Sequence, residues 1–73
     1  MRLFTLSRNR SCLPVGEIIE MTVRANHETQ ARLLAAEMCG PEGATVWNWP
    51  QKSWCSVGEP TVGKARVLDR KYE

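Results

Sequence analysis

The sequence predicts a two-layer α+β domain, an antiparallel sheet of four to five strands with one helix across one face. Three observations carry that expectation. Glu17 to Ala25 alternates with the two-residue period of a strand. Asn26 to Gly40 carries a start signal, an apolar stripe and a stop signal for one helix. The remaining β-prone runs are short and separated by Pro and Gly, without the alternating helices that a parallel sheet needs. The predicted order is β-β-α-β-β-β, and the 73 residues make a single domain, 1–73.

The elements follow in order. MRLFTLS reads as a first strand, with Phe4 and Leu6 alternating against Leu3 and Thr5. RNRSCLPVG is a loop, marked by Pro14 and Gly16. In EIIEMTVRA, Ile19, Met21, Val23 and Ala25 fall on one face and Ile18, Glu20, Thr22 and Arg24 on the other, as in a sheet covered on one side. In the helix, Asn26 is the expected N-cap, and Glu28 sits where the helix dipole favours a negative charge. Ala31, Leu34, Ala35 and Met38 form the core-facing stripe. Glu28 and Arg32 are spaced for a helical ion pair. Gly40 suits the left-handed position past the helix end, and Pro41 forbids continuation. Ala44 to Trp49 reads as a strand ended by Pro50, which cannot donate to a ladder. Pro50 to Ser53 then forms a hairpin link to a strand over Trp54 to Gly58. The last strand spans roughly Lys64 to Leu68.

Composition narrows the function classes. At 42% hydrophobic and 25% charged the chain is ordinarily globular. A core of this size is thin, hiding roughly 60–65% of the unfolded surface. No apolar run approaches the ~18 residues of a membrane span. The first residues make a poor signal peptide because Arg8 and Arg10 interrupt the apolar stretch, so the expected location is the cytoplasm. Three widely spaced cysteines, Cys12, Cys39 and Cys55, are not a disulfide framework. With His27 they match the ligand count of a zinc site, but His27 and Cys39 lie about 18 Å apart along one helix, so no metal site is expected. No nucleophile–base pair, close carboxylate pair or phosphate-binding glycine loop is present, so neither an enzyme nor a cofactor is expected. Charge is segregated. Residues 1–16 hold Arg2, Arg8 and Arg10 and no acid, 17–59 hold six acids against three bases, and the tail holds four bases against two acids. If the two ends pair as neighbouring strands, they form one basic edge.

All three tryptophans fall within VWNWPQKSWCSV. Strand alternation places Val46 toward the helix and Trp47 and Trp49 on the uncovered face, with Trp54 across the hairpin from one of them. The competing reading is that one or two of them serve as core. Tryptophan is enriched at interface hot spots because it buries much area with few rotamers to freeze. The same residues beside basic strands could also stack bases of a single-stranded nucleic acid. The isoelectric point of 8.6 is lower than is usual for that role. A third arrangement is a homodimer whose sheets pack face to face.

The string VRANHETQARLLAAEMCGPEGATVW, followed by SWCSVGEP, resembles small proteins of unknown function encoded by bacteriophages and prophages. The resemblance runs over Glu17 to Glu59, through the VRA strand end, the AR-x-LAAE helix and the EGAxVW segment. The tail and the extra tryptophan of QKSW depart from that pattern, and the family brings no catalytic residues. The resemblance implies an accessory factor that binds and blocks a bacterial host protein. At the level of size and fold class the chain is similar to anti-CRISPR proteins, which implies a CRISPR–Cas-type complex as partner in the host cytoplasm. On that reading the contact residues are Trp47, Trp49, Lys52 and Trp54, with Arg8, Arg10, Lys64 and Arg66 steering toward an acidic or RNA-bearing partner.

Overall fold

The structure is a computed structural model, which describes residues 1–8 and 15–72. Among these residues four strands and two helices follow in the order β1 (Arg2–Arg8), β2 (Ile18–Ala25), α1 (Glu28–Glu37), α2 (Thr45–Asn48), β3 (Ser53–Pro60) and β4 (Arg66–Tyr72). The strands form one antiparallel sheet in the order β3-β1-β2-β4. The α+β class is therefore the one the sequence predicts. The two ends of the chain, however, are not neighbours. β1 lies between β2 and β3, and β4 occupies the far edge beside β2, so no single basic edge forms.

α1 crosses the sheet over β2 and also touches β1 and β4. The core beneath it contains Phe4, Leu6, Ile18, Met21, Val23, Ala25, Ala31, Ala35 and Trp47. β2 supplies most of this because both its neighbours are strands and one of its faces lies under the helix. Ile18 joins the cluster where strict alternation assigns Ile19, because the β2–β4 register shifts between Ile18 and Glu20. Of the predicted helix stripe, Ala31 and Ala35 are fully buried and Leu34 is half-buried. Met38 is 45% exposed, because the helix ends over the edge strand β4 and not over the sheet centre. The N-cap is His27, one residue later than predicted; its Nδ1 accepts the Gln30 backbone N–H at 3.1 Å. The Gln30 side chain reaches back to accept the N–H of Asn26 at 2.7 Å, one residue before the N-cap, in a variant of the capping box, where the N-cap's own N–H is bound.

The main correction concerns residues 44–49, which form a short helical turn and not a strand. Trp47 and Asn48 both donate their backbone N–H to the Ala44 carbonyl, and Trp49 donates to Thr45. No hairpin therefore joins this segment to β3, and the sheet has one strand fewer than the predicted order. The local pattern suits a pleated strand, but tertiary burial of one large ring overrides that preference. The turn swings Trp47 into the core, where it is fully buried and its Nε1–H donates to Glu42 at 2.8 Å. Trp49 ends the turn in an extended conformation, φ −96° and ψ 122°, as the following Pro50 requires. β4 also runs later than predicted, through Tyr72.

Candidate functional site

The predicted tryptophan cluster is divided by the fold. Trp47 is a core residue. Trp49 lies in the turn leading into β3, 54% exposed, with the Lys52 ammonium 5.9 Å from its ring centroid in a cation–π contact. That turn is closed by the Lys52 N–H donating to the Trp49 carbonyl at 3.0 Å, with Pro50 at its second position. Trp54, the second residue of β3, is 79% exposed. Its direction follows from its neighbours. Ser53 is buried against Arg32 of α1 and Cys55 packs on the core, so both point to the helix side. Trp54, between them, points to the face that the helices leave uncovered.

That face is organised in cross-strand rows, because residues opposite each other in an antiparallel ladder share a face. The first row is Trp54, Ser7, Glu20 and Lys71. The Ser7 hydroxyl donates to Glu20 Oε1 at 3.0 Å, and Lys71 Nζ lies 3.1 Å from Glu20 Oε2. The second row is Ser56, Thr5, Thr22 and Asp69. The third is Leu3, Arg24 and Arg66, with Gly58 against Leu3. Arg24 is half-buried, its Nε without a hydrogen-bond partner among the described residues, and its guanidinium packs where a side chain at Gly63 would stand. The face thus offers one exposed indole at a corner of a hydroxyl-rich surface that carries both signs of charge.

The predicted basic residues scatter. Arg8 does not point toward a partner. It pairs with Glu17 at 3.0 Å and donates to the Ile18 carbonyl at 3.0 Å, with most of its side chain buried. Arg10 lies outside the described residues, as do Cys12 and most of the predicted loop around it. Lys64 and Arg66 are exposed, but on the β4 side of the sheet, with β1 and β2 between them and β3.

Two polar assemblies hold the site's supports, and sequence reasoning missed both. The first is Arg32, which was expected only as the partner of Glu28. It is buried, and besides donating its Nε–H to the Glu28 carboxylate at 2.8 Å it donates to the Trp47 carbonyl at 3.1 Å, Ser53 Oγ at 2.8 Å and the Ser53 carbonyl at 3.0 Å. One guanidinium so ties α1 to the end of α2 and to the first residue of β3, next to Trp54. The only sequence signal was its place on the helix flanking the Ala31–Ala35 stripe. The second is Glu42, whose carboxylate accepts from Gly40 N–H at 2.8 Å, Ile18 N–H at 3.2 Å and Trp47 Nε1–H at 2.8 Å. Burial alone raises its pKa, but these donors, led by the Gly40 N–H, outweigh burial and hold the carboxyl below its ordinary range. At Cys55, burial and the Glu28 charge push the thiol up against the opposing pull of Arg32, which disfavours the reactive thiolate.

Among the described residues no group of three or more His, Cys, Asp or Glu side chains stands close enough to hold a metal ion. No helix there is long and apolar enough to cross a membrane. No family model, curated protein or solved structure matches the chain.

Proposed function

We propose that this chain is a small accessory protein that acts by binding a bacterial host protein. The leading partner class is a host-defence complex of the CRISPR–Cas type, blocked by occlusion. The observation that supports binding most directly is Trp54, with 79% of its surface exposed on a sheet face that no element covers among the described residues. An indole held on a rigid strand offers a large contact area with little side-chain entropy to lose. The rows beside it supply hydroxyls and paired charges, the polar surroundings that an aromatic anchor uses at protein interfaces. Arg24, Arg66 and Lys71 share this face with Glu20 and Asp69. That mixture suits a protein surface better than a phosphate backbone, which selects for a basic stripe. Trp49 and Lys52 extend the contact at the turn before β3. The phage resemblance contributes the partner class.

The test uses the Trp49→Ala, Trp54→Ala double variant. It is expected to keep the wild-type circular dichroism spectrum, since both rings are more than half exposed. In a bacterial strain with an active CRISPR–Cas system, wild-type protein is expected to restore plaquing by a targeted phage and the variant is not. Wild-type protein without effect on plaquing across the CRISPR–Cas types refutes the partner class. Steeply salt-dependent binding of a labelled oligonucleotide that the double variant abolishes refutes a protein partner in favour of single-stranded nucleic acid.

A further inference from the structure

The two edges of the sheet are built differently. β4 carries Arg66, Asp69, Arg70 and Lys71 among its seven residues, the charged dressing that keeps an edge strand from pairing with another chain. Among the described residues β3 pairs with β1 alone, and its eight residues, SWCSVGEP, hold a single charged side chain, Glu59. Its open ladder therefore lacks that protection over Trp54 to Gly58. Two large apolar side chains project from this strand on opposite faces, Trp54 at 79% exposure and Val57 at 61%. Val57 stays exposed although it lies on the helix side, because α1 sits over β1, β2 and β4 and does not extend across β3.

We propose that β3 pairs antiparallel with β3 of a second copy of this chain about a two-fold axis at Ser56. The sequence of the strand is complementary to itself in that register. Trp54 of each copy lies opposite Gly58 of the other on the open face, and Cys55 lies opposite Val57 on the helix face. A Cβ at Gly58 would stand 3.1 Å from the Leu3 carbonyl oxygen, so this position is kept bare, and a flat indole from across the ladder covers it. Charge agrees with the register. Glu59 is opposite Ser53 of the second copy and next to its Lys52, so no like charges face each other across the axis. Pro60, which cannot donate, falls at the end of the paired stretch. Pairing joins two four-stranded sheets into one continuous sheet of eight. It also sets two copies of the open face side by side, with Trp54 of each at the join. This inference stands on the edge chemistry and does not require the proposed host partner.

The test needs no partner: the molar mass of the purified full chain is measured by light scattering over a concentration series. Wild-type protein is expected to move from monomer to dimer as concentration rises. Val57→Lys places a charge on an already exposed edge position and is expected to weaken association at least about tenfold. Trp54→Ala, at an exposed site, is expected to weaken it in the same direction. Asp69→Lys on the β4 edge is expected to leave it unchanged. Hydrogen exchange supplies a second readout, in which β3 amides gain protection with concentration and β4 amides do not. A chain that stays monomeric throughout the series overturns the proposal. So does a dimer that persists unweakened in both Val57→Lys and Trp54→Ala, or one that Asp69→Lys disrupts.

Discussion

Replacing Arg32 by Ala tests whether one buried guanidinium holds the two helices and β3 together. Its three donor nitrogens make four hydrogen bonds, three of them to the Trp47 carbonyl and to the hydroxyl and carbonyl of Ser53. A hydrogen bond from a charged donor contributes about 1.5–3 kcal/mol. Three such bonds would sum to more than is measured, because taking the guanidinium out of water opposes them. Breaking a buried charged assembly on one side costs about 3–5 kcal/mol. Glu28 is half exposed and recovers hydration when its partner goes, so the lower end applies, about 3 kcal/mol. For a domain of this size that corresponds to a fall in Tm of about 12–24 °C. Arg32→Lys is expected to recover only part of the loss, since one ammonium cannot reproduce the planar fork that spans Trp47 and Ser53. Thermal and urea unfolding followed by circular dichroism measure both. A Tm for Arg32→Ala within about 4 °C of wild type, less than 1 kcal/mol, would show that the guanidinium is not the clamp described here.

Trp47→Ala is expected to cost about 3–5 kcal/mol, because it empties a core site and strands part of the Glu42 carboxylate; the exposed Trp49 and Trp54 provide the contrast in the same unfolding assay. Glu42 makes stability depend on acid. Its folded pKa lies below the ordinary value of 4.5, so its contribution is fully present above that value and is lost as pH falls through the folded pKa. Glu42→Gln is expected to lower stability at neutral pH and to flatten the decline below pH 4.5, measured as the urea midpoint against pH. Gly63→Ala is expected to destabilise by about 1–2 kcal/mol, because φ is +131° there and a methyl group meets the Arg24 guanidinium; a Tm equal to wild type would refute this account of the turn.

Local pattern alone determined β1, β2 and α1. Their signals are short-range and agree with one another. The alternation in β2 names its buried face over Met21 to Ala25, and the helix stops before Pro41, although it ends already at Glu37 with Met38 as its C-cap and Gly40 does not take the left-handed conformation expected of it. The exposed tryptophan was also legible as a possibility, in the crowding of large rings into one short stretch. Tertiary structure alone decided which ring it is. Thr45 to Trp49 is compatible with a strand and with a helical turn, and the choice depends on Glu42 and the core cavity meeting Trp47, contacts that no local pattern contains. The same holds for Arg32. On the helix it is an ordinary ion-pair partner of Glu28, and it becomes a buried clamp only because the chain returns 15 and 21 residues later to place the Trp47 and Ser53 acceptors around it. Strand order completes the division. Both β3 and β4 read as strands, but only the sheet's order, with β1 and β2 inside, leaves the sparsely charged β3 at one edge and the charged β4 at the other. Periodicity is a property of neighbours in sequence, whereas an edge is a property of which neighbours are missing in space.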